Sequence, residues 1–166
     1  MRAEKVEKGT PLAAALIGFV EGFSWEEVRE HTLQRLRLWQ FEDWETPFAA
    51  LADGRVVGMA TVSKTDYYPL PEIFPWVSTI FVEEACRGRR ISEKLIDAAN
   101  AYAAALGFER TYIPTGHVGL YEKYGYTYLR DIVNYAGGVD RLYAKKLNNE
   151  SNINRTQDRG GNHGNV

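Results

Sequence analysis

Residues 86–95 read CRGRRISEKL and follow the apolar run WVSTIFV. Arg87, Arg89 and Arg90 fall within four positions, with Gly88 after the first, at the point where a helix is expected to begin. The first turn of a helix exposes N–H groups that have no partner inside the helix, and it carries the positive end of the helix dipole. Anions are favoured there and cationic side chains are not, so three arginines at this place suggest that an anion is held among them. Four identities for it have to be separated: a nucleotide phosphate, a coenzyme pyrophosphate, a nucleic-acid backbone, or nothing but solvent. Cys86 lies in the same turn without an acid–base partner nearby in sequence, and reads as packing rather than chemistry.

A Walker loop needs lysine and then Ser or Thr after spaced glycines, and a dinucleotide loop needs G-x-G-x-x-G directly after the first strand. The sequence contains neither. A nucleic-acid footprint would extend beyond one turn, yet Glu83, Glu84 and Glu93 flank the arginines and the chain's net charge is −2. The positive field is confined to one spot, which leaves the coenzyme and the solvated face as the readings to weigh.

The elements that must position this turn can be read along the chain. At 166 residues, 45% apolar and 25% charged, the sequence fits one domain with a sizeable core, which we place at 1–147. One cysteine excludes an internal disulfide framework and a cysteine metal cluster, and a reducing, cytoplasmic setting is the default. Leu12 to Val20 follows Arg2, Lys5 and Lys8 in imitation of a signal peptide, but Glu4 and Glu7 spoil the imitation and the run is too short to cross a membrane. Thr10-Pro11 and Gly22 instead bracket a short helix. Ser24 and Glu27 form the pattern of a capping box, with Phe23 and Val28 as a hydrophobic staple, opening a second helix whose apolar face is Val28, Leu33, Leu36 and Trp39.

Phe48 to Leu51 and Arg55 to Val62 flank Asp53-Gly54, a tight-hairpin pair. Thr65 to Pro75 is an aromatic, proline-rich loop, and Trp76 to Val82 resumes as a strand. Ile91, Leu95, Ile96, Ala99, Tyr102, Ala103 and Leu106 then draw one apolar stripe ending at Gly107. A strand at Glu109–Ile113, a short helix at Val118–Tyr124, and strands Tyr126–Tyr135 and Val139–Leu147 follow. The order α-α-β-β-β-α-β-α-β-β predicts a mixed α/β (α+β) fold. Residues 148–166 are too polar to offset the entropy of ordering themselves and are expected to be a disordered tail.

TIFVEEACRGRRISEKL resembles the acetyl-coenzyme-A motif of the GNAT acetyltransferase superfamily, and GLYEKYGY is similar to that superfamily's later tyrosine motif. The two stand in the family's order, separated by one helix and one strand. The resemblance implies a central, mostly antiparallel mixed sheet flanked by helices, and acetyl-CoA as co-substrate without a metal. It places Arg87 at the motif's Arg/Gln position and lines the pyrophosphate with main-chain N–H groups of Gly88, Arg89, Arg90, Ile91 and Ser92. Phe81 and Val82 would offer main-chain groups to the pantetheine arm, with the N–H of Val82 facing the oxyanion. Tyr121 matches the tyrosine whose hydroxyl protonates the departing thiolate. Arg90 and Ser92 depart from the motif's small residues.

The implied reaction is direct attack of a primary amine, on a small molecule or peptide, upon the thioester. The amine must first lose a proton, and Glu72 and His117 are the candidate bases. Trp25, Tyr67, Tyr68 and Trp76 are candidates for an aromatic acceptor wall. No nucleic acid or membrane is expected as a partner, and because family members often pair through their sheets a homodimer is open. A non-catalytic acyl-CoA-binding or regulatory domain of the same fold is the alternative.

Overall fold

The start of the first helix and the hairpin turn can be traced to local causes. A computed structural model describes residues 1–148, so all but the first residue of the expected tail lies outside the described residues. The first helix, α1 (Pro11–Glu21), starts where the Thr10 hydroxyl accepts from the Ala13 N–H at 3.2 Å and stops at Gly22. A second helix, α2 (Glu26–Arg37), follows. Before both comes a strand the sequence reading lacked, β1 (Arg2–Lys5). Its RAEK sequence has no apolar alternation, and what makes it a strand is pairing with the next one, from Arg2↔Leu51 to Lys5↔Phe48.

The hairpin strands β2 (Thr46–Ala52) and β3 (Arg55–Ser63) turn at Asp53 and Gly54, whose φ values of 51° and 74° are those an Asp-Gly turn is suited to adopt. The next strand is β4 (Trp76–Val82), followed by α3 (Ile91–Ala105), β5 (Arg110–Thr115), β6 (Thr127–Val133) and β7 (Val139–Lys146). Among the described residues, seven strands form one sheet in the order β1-β2-β3-β4-β5-β7-β6, and only β4 and β5 pair in parallel. The fold is the expected mixed, mostly antiparallel sheet between helices.

Two local expectations fail. Ser24 does not cap α2; its hydroxyl donates to Glu84 Oε1 at 2.7 Å, and Trp25 stands at the cap without a side-chain bond. The partner that wins is 60 residues away in sequence. The expected helix at 118–124 is only a single 3-10 turn, Tyr121–Tyr124, ended by Gly125 at φ 85°.

The middle of the sheet is buried on both faces, while the edge strands β1 and β6 are largely exposed. Against α3 lie Phe48, Ala60, Val62 and Val77, packed on Ile91, Leu95, Ile96 and Ala99. Against α1 and α2 lie Ala49, Val56, Met59 and Phe81. A third cluster, Trp76, Ile132 and Leu142 with Tyr68, Leu70 and Ile73, holds the 64–75 loop down on the far strands. Trp76 is 1% exposed and belongs to this core, so it does not form a wall of an open pocket.

Candidate active site

The site is built where the sheet comes apart. The parallel pair β4–β5 is joined at Trp76↔Tyr112, and from there β5 keeps its pairing with β7 while β4 keeps its pairing with β3. Within β4 the register to β3 shifts: Met59 faces Phe81 and Thr61 faces Ser78, so two residues of β4 oppose the single Ala60. Thr79 adopts φ 50°, the mark of a bulge that re-aims the strand. Ser78, Thr79 and Ile80 remain partly exposed in the middle of a strand whose start is buried, so the opening reaches down to the bulge.

Backbone polarity in the gap follows from strand alternation. The Glu83 N–H is bonded to the Val57 carbonyl at 2.9 Å, so the neighbouring Val82 main-chain groups point the other way, toward the gap. The Val82 carbonyl there accepts from Arg87 Nε at 3.1 Å. The guanidinium of Arg87 also lies over the Phe81 ring, 5.8 Å from its centroid.

The arginine turn then leads into α3. Gly88 has φ 75° and Arg90 φ 56°, both left-handed. Arg90 therefore occupies the kind of conformation that glycine adopts freely and other residues hold at a cost of about 1–2 kcal/mol. Its side chain turns away to an ion pair with Glu93, with Nη2 donating at 2.9 Å. No side chain caps the helix. A capping residue would be worth about 1 kcal/mol, whereas full burial of Ile91, Leu95 and Ile96 contributes about 1.5–3 kcal/mol each. Packing holds the helix in place and leaves its first N–H groups without side-chain acceptors.

A groove of about 730 Å³ runs along this opening, bounded by Ile80, Phe81 and Val82 on one side, by Arg87, Gly88, Arg90, Ile91 and Ser92 at its floor, and by His117 and Tyr121 opposite. Tyr121 is 7% exposed, and burial, with some help from Tyr124, pushes its hydroxyl up to about 12, against a lowering hydrogen bond with Thr115. It keeps its proton throughout the neutral range. Several bonds fix its 3-10 turn: Ser92 Oγ meets Tyr124 Oη at 3.0 Å, Lys145 Nζ donates to the Tyr124 carbonyl at 2.7 Å, and Tyr143 Oη donates to Glu122 at 2.7 Å. Ser92 thus ties the start of α3 to the tyrosine turn. A second cavity of about 640 Å³ lies beside α1, reaching Gly18, Gly22, Glu83 and Glu84, and shares Phe81 with the first.

Behind the bulge lies a polar chain that the sequence did not announce. Arg35 of α2 donates through Nη1 to Ser63 Oγ at 3.0 Å and through Nη2 to Glu45 Oε2 at 3.1 Å. Ser63 Oγ donates to Thr61 Oγ1 at 3.4 Å, and Thr61 Oγ1 to the Ser78 carbonyl at 3.2 Å. The Ser78 hydroxyl donates to Asp66 Oδ2, and Oδ1 accepts from the Tyr67 N–H at 2.6 Å. Burial raises the Asp66 carboxyl above the usual carboxylate range, and Asp140 adds to this, while the Ser78 and Tyr67 hydrogen bonds and the charge of Arg35 oppose it. Tyr68 Oη donates to Asp140 Oδ2 at 2.7 Å.

The residues singled out from the sequence are distributed unevenly. The turn, Phe81, Val82, His117 and Tyr121 come together around one groove, with Arg89 exposed beside it rather than lining it. Glu72 is exposed in the 64–75 loop and lines neither cavity. Trp25 and Tyr67 are exposed at 42% and 57%, and Tyr68 stacks on the buried Trp76 with centroids 5.7 Å apart. Cys86 is buried and donates to Glu83 Oε2 at 3.2 Å, in keeping with packing.

The comparisons with known proteins agree with this architecture. Residues 15–126 match the model of the Acetyltransferase (GNAT) family, and the chain belongs to that family. Among solved structures it is similar to aminoglycoside 6'-acetyltransferase type Ii, with 18% identity, TM-score 0.67, and 88% of this chain and 97% of that one covered. An aminoglycoside 6'-N-acetyltransferase complexed with coenzyme A aligns at 16% identity and TM-score 0.66, covering 88% of this chain and 97% of that one. A GNAT-family acetyltransferase from Streptococcus pneumoniae aligns at 17% and 0.63, covering 89% and 100%. No curated protein matches the sequence. Among the described residues no cluster of metal-ligating side chains occurs, and no helix is long and apolar enough to cross a membrane.

Proposed function

We propose that this GNAT-family chain transfers the acetyl group of acetyl-CoA to a primary amine of a small molecule or peptide. The observation that carries the reading is the uncapped start of α3, opening into the same groove as Val82 and Tyr121. The coenzyme pyrophosphate would accept from the N–H groups of Gly88 to Ser92, and the pantetheine arm would pair with the gap-facing groups of β4. The thioester would then reach the bulge at Thr79. A neutral amine attacks its carbonyl, the Val82 N–H stabilises the oxyanion, and the sulfur departs against the Tyr121 hydroxyl. A hydroxyl held at about 12 is a poor source of a free proton, so Tyr121 acts chiefly as a hydrogen-bond donor and conduit to the thiolate.

The coenzyme in one structural neighbour supports the cofactor, and the aminoglycoside acetyltransferases among them make aminoglycosides the first acceptors to try. The test is release of free thiol from acetyl-CoA with kanamycin, spermidine and tyramine. We expect turnover with at least one above the rate of hydrolysis alone. Tight coenzyme binding with no amine accelerating thiol release would favour the non-catalytic acyl-CoA-binding alternative.

A further inference from the structure

We propose that Asp66, acting through the Ser78 hydroxyl, takes up the proton that the acceptor ammonium must lose before it attacks. This rests on the acetyltransferase reading above and assigns that site's base. Ser78 immediately precedes the bulged Thr79, where the thioester would lie, and is itself partly exposed. Its hydroxyl already donates to Asp66 Oδ2, and its carbonyl accepts from Thr61 at 3.2 Å, which holds the backbone of Ser78 in place. An amine that reached Ser78 Oγ beside the bulge would find a carboxylate directly behind it.

The proton balance is simple. The ammonium gives one proton to Ser78 Oγ as Ser78 passes its own to Asp66, leaving a neutral amine. The C–N bond forms, the C–S bond breaks, and the second nitrogen proton leaves by way of Tyr121 to the coenzyme thiolate. Asp66 returns its proton to solvent after product release.

The surroundings act on the proton affinity of Asp66 in both directions. Asp66 faces Arg35 from α2, which is itself paired with Glu45 near the start of β2, and it senses Asp140 from β7 and Tyr68 from its own loop. Burial and Asp140 raise the proton affinity of the carboxylate, while the Ser78 and Tyr67 hydrogen bonds and the charge of Arg35 favour its ionised form. The competing candidates lack this setting. Glu72 is exposed in the loop and His117 is exposed on the far wall of the coenzyme groove, whereas Asp66 and Ser78, which line neither cavity themselves, are partly buried and hydrogen-bonded to each other beside the bulge.

The experiment compares Asp66→Asn, Ser78→Ala and His117→Asn with the unsubstituted protein. Probes are hydroxylamine, which is largely unprotonated near neutrality, and whichever of kanamycin, spermidine and tyramine reacts fastest. Asp66→Asn is expected to lose about 10²-fold in kcat with the alkylammonium probe at neutral pH. It should lose far less with hydroxylamine, which needs no base. In the unsubstituted protein kcat/KM should fall as pH drops through the raised Asp66 titration, and in Asp66→Asn that inflection should vanish, leaving only the rise that follows deprotonation of the amine itself. Ser78→Ala should fall in the same direction, and Asp66→Glu should recover part of the activity.

Calorimetric affinity for acetyl-CoA is measured on every variant. Equal losses with both probes, or an inflection that survives in Asp66→Asn and disappears in His117→Asn, would overturn the assignment. Failure of the unsubstituted protein to bind acetyl-CoA would instead overturn the acetyltransferase reading beneath it.

Discussion

Tyr121→Phe is expected to lower kcat by about 10²-fold while leaving acetyl-CoA affinity within about twofold. The ring stays, so the packing of Tyr121 against Tyr124, Tyr126 and Tyr143 is preserved. What is lost is one hydroxyl at the groove wall, whose benefit arises only when the sulfur acquires charge, so the effect falls on kcat rather than on binding. The sign of the pH dependence is fixed as well. Burial holds the hydroxyl at about 12, so Tyr121 is protonated at any pH below that and produces no alkaline limb in the working range. The phenylalanine variant should be slower at every pH with the shape of the profile unchanged. Steady-state thiol release from pH 6 to 9 measures both, and unaltered turnover would remove Tyr121 from the chemistry.

Gly58→Val is expected to damage stability and coenzyme binding together. Gly58 lies in β3 beneath the start of α3, and a Cβ there would stand 3.0 Å from the Phe81 carbonyl, 3.2 Å from Leu95 Cδ1 and 3.4 Å from Ile91 Cγ2. The first of these is backbone and cannot swing aside. A branched side chain must push β4 and α3 apart, at a cost of about 1–3 kcal/mol typical of overpacking. A 2 kcal/mol loss lowers Tm by about 4–8 °C in a chain of this size. Because Phe81 and Ile91 both bound the groove, acetyl-CoA affinity should weaken as well. Differential scanning calorimetry and titration read the two effects; an unchanged Tm would show that the helix is not seated on Gly58 as described.

Much of this was legible in the sequence because its causes are local. Asp53-Gly54 marks a turn by its own conformational preference, Thr10-Pro11 marks a helix start, and the stripe from Ile91 to Ala103 marks a buried face wherever the helix packs. The arginine turn was legible for the same reason, since its glycine and its charges sit next to the helix they open. The features that escaped depend on distant partners. β1 exists because β2 offers it an edge, and Ser24 left its own helix for Glu84. The chain from Arg35 to Asp66 joins α2, β3, β4 and a loop residue with no neighbouring motif to distinguish it. Trp76 reads as a pocket-wall candidate in sequence because an aromatic cluster does not show which of its rings the far strands will cover.

The central claim is that the arginine turn and the parted strands hold a coenzyme, and isothermal titration with acetyl-CoA at low salt tests it most directly. Binding in the micromolar range is expected, weakened about tenfold by Arg87→Ala, as befits loss of one charge-assisted contact. Arg87 already reaches the Val82 carbonyl and the Phe81 ring at the mouth of the gap, so its removal should be felt there. Equal affinity in the variant would move the site away from this arginine, and absence of any binding to the unsubstituted protein would contradict the account.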